Sequence, residues 1–274
     1  MARSLSLGIL ACALFVSAGC DNPPTYPKAH VAEALESVLK DDGLDASVRF
    51  VDHTVGVALI YPGALSQTDT QIELGPDFDE ATRRALTAIH RVLLSTDADV
   101  NFYVLLLSDP NAPGAYLTLV RYMDDIKRAN ANMLDTPEMF ARTIFELNFV
   151  GPQNPVTIEE YVPRDIRLEE FLSWQLARRI QADLTEHLRS SGAVNVGRCG
   201  GRFADGEFVF TLDVAPAEGP MDEGTVRAMF EESTNVVAKV LLSYNFNSFD
   251  AIRLVHPLTG RNLVLPKTRL ELFR

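Results

Sequence analysis

The hydrophobic pattern of this chain alternates between a helical period and a two-residue period, and it runs through one order of elements twice. In the first pass, Val31, Leu35, Val38 and Leu39 share a face of a helix over residues 30–40. Asp41-Asp42-Gly43 ends it, since glycine most readily takes the left-handed conformation needed there. Strands over 46–52 and 54–61 follow, the second with Val55, Val57, Leu59 and Tyr61 on one face. A helix opens at Asp77, with Glu80 at capping-box spacing, and carries a stripe of Ala85, Leu86, Ile89, Val92 and Leu93. Residues 102–107 are apolar throughout, as a buried central strand is, and 116–121 form the next strand beyond a Pro/Gly turn.

The second pass opens with a long helix over 165–190, in which Leu168, Leu172, Leu176, Ile180, Leu184 and Leu188 recur every four residues, and Gly192 ends it. Strands over 193–199 and 207–214 follow; Phe208, Phe210, Leu212 and Val214 face one way in the second. A helix over 222–242 and strands over 249–255 and 262–265 complete the order. Each half reads α-β-β-α-β-β, so the expected fold is α+β: two similar units, each with helices packed on an antiparallel sheet. Local identities point to a duplication. Asp79-Glu80-Ala81-Thr82-Arg83-Arg84-Ala85 resembles Asp222-Glu223-Gly224-Thr225-Val226-Arg227-Ala228, and Val92-Leu93-Leu94-Ser95 recurs as Val240-Leu241-Leu242-Ser243. The two matches differ in register, because the later helix is five residues longer between them.

Between the passes, 124–131 reads as a short polar helix. Thr136-Pro137-Glu138 starts another, whose apolar face is Phe140, Ile144 and Leu147. Three prolines and a glycine mark 151–163 as a linker, which divides a first unit over 29–150 from a second over 164–274. With 47% hydrophobic and 23% charged residues the composition is that of ordinary globular protein. The net charge of −12 argues against nucleic acid, whose phosphates demand a basic face, and against attachment to anionic lipid by charge.

The amino terminus has its own logic. One positive charge at Arg3 precedes an apolar run from Leu5 to Val16, twelve residues long. That is short of the roughly 20 residues a membrane-spanning helix needs. Ser17-Ala18-Gly19-Cys20 follows. This leader resembles the lipobox of bacterial lipoprotein precursors. The family's usual leucine three positions before the cysteine is Ser17 here, with Val16 one place further out. The resemblance covers the leader alone. It implies removal of residues 1–19, a diacylglycerol on the Cys20 thiol and an acyl group on its nitrogen. Asp21-Asn22-Pro23-Pro24-Thr25-Tyr26-Pro27 then makes 20–28 an extended tether. The other readings of the leader are plain secretion with a cut after Ala18, or a cytosolic amino-terminal helix. A lipidated Cys20 leaves Cys199 with no partner for an internal disulfide.

Residues able to do chemistry are sparse. His30, His53, His90, His187 and His256 are scattered, without a His-x-x-x-His pair or a Cys-x-x-Cys. Asp41, Asp42, Asp45 and Asp52 with His53 could gather a cation, but their spacing does not fit a calcium loop, and a solvated helix end explains the first two. Cys199, between Arg198 and Arg202, could be an activated thiol; a small residue beside a hairpin is the plainer reading. Gly197, Gly200 and Gly201 lack the setting of a phosphate loop. Trp174 is either a core edge or an interface anchor. No metal and no cofactor is expected. The reading is a non-enzymatic, lipid-anchored envelope protein on the periplasmic or extracellular side of either membrane, which binds another envelope protein. The alternatives are a solute- or lipid-binding lipoprotein with its ligand between the halves, and an enzyme of unrecognised type.

Overall fold

Two strands, β2 (Thr54–Ile60) and β5 (Phe102–Ser108), are apolar on both sides because both sides are covered. In the computed structural model, which describes residues 25–68, 71–151, 157–162, 164–189 and 194–270, they lie side by side at the centre of a five-stranded sheet. The first half runs α1 (Val31–Asp41), β1 (Asp45–Val51), β2, a small hairpin β3 (Leu65–Gln67) and β4 (Ile72–Leu74), then α2 (Phe78–Leu93), β5 and β6 (Ala115–Tyr122). Two short helices, α3 (Met123–Asn130) and α4 (Thr136–Arg142), lead into β7 (Ile144–Phe149). The sheet order is β1-β2-β5-β6-β7. The sequence suggests antiparallel sheets, and every pair here is antiparallel except β2–β5. That pair is parallel because α2 carries the chain back to the starting end of the sheet, as in any helical crossover.

The second half runs α5 (Ile158–Tyr161), α6 (Leu168–Arg189), β8 (Val194–Val196), β9 (Gly200–Ala204), β10 (Glu207–Thr211), β11 (Val214–Pro216), α7 (Glu223–Ser243), β12 (Ala251–His256), β13 (Arg261–Pro266) and α8 (Lys267–Leu270). Its sheet order is β9-β10-β12-β13, with β10–β12 parallel and the outer pairs antiparallel. The first four strands of the other sheet follow the same succession.

Each half encloses a core of its own. Leu35 and Leu39 of α1 and Ala85 and Ile89 of α2 pack on Val55, Val57, Leu105 and Leu107. The four-residue row of α6 lands as its spacing demands. Leu172, Leu176, Ile180 and Leu184 are fully buried against Phe208, Phe210 and Leu212, with Leu168 and Leu188 at the margins. Each such side chain contributes roughly 1.5–3 kcal/mol. A third cluster joins the halves: Phe102, Val104 and Leu106 on the far face of the first sheet meet Ile158, Val162 and Phe171. Gly56 makes room for it, since a Cβ there would stand 2.7 Å from Ile158. The segment 151–163 is thus more than a spacer, and Pro163 and 152–156 lie outside the described residues.

Four local expectations change. The helix begun at residue 136 stops at Arg142, and 144–149 is a strand, so Phe140 is 67% exposed and Ile144 and Leu147 face opposite ways. Those six residues alternate at period two and complete the ladder of β6, which a helix could not do. Asp135, not Thr136, accepts the capping bond from the Glu138 N–H. Asp77 precedes α2 without a side-chain cap, its carboxylate lying over Gly63 instead. The strand expected over 193–199 shrinks to β8, which pairs with β11 in a separate ribbon, and β9, beyond its expected end, joins the main sheet.

His90 of α2 and Tyr103 of β5 form a partly buried pair, Nε2 to Oη 2.9 Å, with the Arg121 guanidinium 3.4 Å from the same hydroxyl. Burial, aided by the Arg121 charge, lowers the His90 pKa to about 4, and burial raises that of Tyr103 to about 12. Between pH 4 and 6.5 the unfolded chain therefore binds more protons at this histidine than the folded one. Stability should fall as pH drops through that window, by on the order of 3 kcal/mol from this group. His90→Gln should flatten that part of the profile, as read from urea midpoints above and below the window; an unchanged acid slope would refute the assignment.

Candidate functional site

An open groove of about 1280 Å³ lies between the halves. Its first wall is β7, the last strand of the five-stranded sheet, through residues 144–148. Its floor is the outer face of α6, with Trp174, Ala177, Arg178, Gln181, Ala182, Thr185 and Glu186. The opposite wall is the stretch Arg198, Cys199, Gly200 and Gly201 that enters β9. Tyr161 and residues 164–166 close one end. Two features explain why α6 can serve as a floor. Its row of leucines faces the second core, and Gly201 lets β9 lie directly on it, since a Cβ there would meet the Ser173 carbonyl at 2.1 Å.

The groove is held open by polar ties. Glu146 of β7 receives Arg178 of α6 at 3.1 Å and Arg198 at 3.4 Å, so two cations share one carboxylate. Arg164 grips Glu170 at 2.6 Å, and this partner holds the Glu170 carboxyl below its ordinary range. Asp165 accepts bonds from the Thr54 hydroxyl at 2.6 Å and the His53 N–H at 3.2 Å, which pins the start of α6 to the β1–β2 turn. Beneath the groove, Arg142 donates to Asp125 at 2.7 Å, and the Tyr244 hydroxyl donates to the same carboxylate at 2.7 Å. Gln175 donates to the Arg142 carbonyl at 2.7 Å and the Tyr244 oxygen at 2.9 Å. The Arg142 guanidinium stands 4.3 Å over the Tyr244 ring. Burial pushes the Asp125 carboxyl up, and burial with the Asp125 charge pushes the Tyr244 phenol up. This network binds the halves; it does not open to the groove.

Cys199 borders the groove but is buried, and burial pushes its thiol up, away from the thiolate that a nucleophile needs. Asp41, Asp42, Asp45 and Asp52 do not gather around His53. Asp41 ends α1 and Asp45 begins β1, whereas Asp52 and His53 sit at the strand's other end, about 20 Å away at the rise of a β-strand. His53 instead meets Asp165 at 3.2 Å. Among the described residues no group of three His, Cys, Asp or Glu side chains could hold a metal ion. His256 is fully buried between the Val214 carbonyl and the Thr259 hydroxyl. Trp174 is 40% exposed on the groove floor, which favours the anchor reading over the core edge. Cys20 and the leader lie outside the described residues.

No family model and no curated protein matches the chain. Glu146, Arg178 and Tyr161 escape a linear reading because four separate segments supply the groove. The period-two alternation of 144–149 is the local signal that a strand stands in this wall.

Proposed function

We propose that this chain is a lipid-anchored envelope protein, tethered through Cys20, whose folded part binds another envelope protein in the groove between its halves. The size and openness of that groove carry the reading. At about 1280 Å³ it exceeds the roughly 300–1,000 Å³ of a small-molecule pocket, and an exposed tryptophan stands on its floor. Ser17-Ala18-Gly19-Cys20 and the proline-rich stretch behind it support the anchor. Among the described residues no helix is long and apolar enough to cross a membrane. Tyr161, Ile166, Ala177 and Ala182 make a lipid or other apolar solute the competing occupant.

A photo-reactive residue in place of Glu186, in the intact protein in its own envelope, should cross-link to a protein. The same residue in place of Leu258, on the distant β12–β13 turn, should not. Trp174→Ala should lower the Glu186 yield about thirtyfold, equivalent to a hot-spot loss of about 2 kcal/mol. Cys20→Ala should remove both the lipid mass and the adduct. Adducts to lipid, or equal protein adducts at both positions, would transfer the groove to the competing reading.

A further inference from the structure

The main-chain edges of the two sheets are treated differently. On β1 the outward Val48 N–H is taken by the Glu36 carboxylate at 2.8 Å. On β13 Pro266 has no N–H to offer. These are the usual ways of blunting an edge. β7 has none of them. The bond from the Val150 N–H to the Gly114 carbonyl, 3.0 Å, sets its phase: even-numbered residues exchange bonds with β6. The N–H and C=O groups of Phe145, Leu147 and Phe149 therefore point off the sheet, toward the groove side. Among the described residues no side chain caps them. An uncapped edge as apolar as Ile144-Phe145-Glu146-Leu147-Asn148-Phe149 is an aggregation hazard unless something pairs with it.

We infer that the partner supplies an extended, acidic segment, added as a further strand along β7. This deepens the proposed docking role of the groove and rests on it. Side chains of an added strand alternate, and those on the groove side would stand beside Ile144, Glu146 and Asn148. There the charge is unbalanced in one direction. Arg178 and Arg198 share Glu146, and the Arg198 side chain is 77% exposed. An aspartate or glutamate neighbouring Glu146 on the incoming strand gives Arg198 a carboxylate of its own. A lysine there would meet two guanidinium groups. The far wall yields room, because a Cβ on Gly200 would meet nothing nearer than 4.0 Å. Trp174 and Tyr161 offer apolar surface to the groove-side residues two positions before and after the acidic one. Main-chain bonds would supply affinity and the alternating pockets specificity, as in other strand-addition complexes.

The probe is a random linear peptide library displayed on phage and selected on the purified full chain. Retained peptides should carry an acidic residue with apolar residues two positions to either side. On binding, they should slow amide exchange at Phe145, Leu147 and Phe149, measured by NMR, while the even-numbered amides stay as protected as before. Arg198→Glu should weaken these peptides at least tenfold. Phe149→Pro, which removes an outward N–H without breaking a bond to β6, should do the same, whereas Phe149→Val should not. Peptides without that acidic residue, binding that leaves β7 amides unchanged, or a selection that retains nothing would each overturn strand addition. Protection of the same amides by self-association of the chain would assign the edge to a second copy instead. The cross-linking at Glu186 stands apart from all of these, so a protein adduct there with a failed selection would discard the strand mode and keep the groove.

Discussion

Leu176→Asp is expected to unfold the carboxy-terminal half. Leu176 has no exposed surface and lies mid-row on α6, between Leu172 and Ile180 and against the phenylalanines of β10. Removing the side chain alone costs about 2–5 kcal/mol, and an unpaired buried carboxylate adds several more. That sum rivals the roughly 5–15 kcal/mol by which a whole domain is stable. Glu186→Ala, on the exposed side of the same helix, should stay within about 0.5 kcal/mol of wild type. Arg178, on sequence grounds an equally neutral control, is tied to Glu146 and serves less well. Urea unfolding followed by circular dichroism decides the matter, and comparable losses for Leu176→Asp and Glu186→Ala would mean the buried face is misassigned. The same core is built only from residues of the second half, so a fragment over 163–274 should fold cooperatively, at reduced stability because Phe171 loses its cover. A fragment without structure would show that the third cluster is indispensable.

Arg142→Met is expected to cost about 3–5 kcal/mol, the usual penalty for breaking a buried ion pair from one side. Both partners are nearly inaccessible, Arg142 at 4% and Asp125 at 2%. After the substitution Asp125 keeps only the Tyr244 hydroxyl. Glu138 loses one of its two guanidinium partners and keeps Arg179. The double variant Arg142→Met with Asp125→Leu removes the stranded charge and should recover most of the loss. Urea midpoints of the two single variants and the double variant form the cycle. A double variant as unstable as the sum of the singles would show that the two residues act separately.

Much of the fold is legible in the sequence, for a physical reason. Period and punctuation are local properties: the four-residue row of α6, the alternation of Phe208, Phe210 and Leu212, and the unbroken apolar run of β5 each declare an element and its buried side. What the linear pattern mistakes are places where a local preference is weak and a distant partner decides. Residues 144–149 suit either period until the open edge of β6 selects a strand. Residues 194–204 divide between two sheets because β11 and β10 compete for them.

The sequence by itself determined the α+β class, the order of the main helices and sheet strands apart from β7 and β9, the faces that become cores and the absence of a recognisable catalytic motif. Each follows from residues near one another in the chain. Tertiary structure alone decided the parallel central pairs, the Asp125–Arg142–Tyr244 tie and the groove. The groove exists only where β7, α6, residues 161–166 and the approach to β9 converge. No local spacing encodes that meeting, because it arises from the way two distinct cores pack against a shared third cluster.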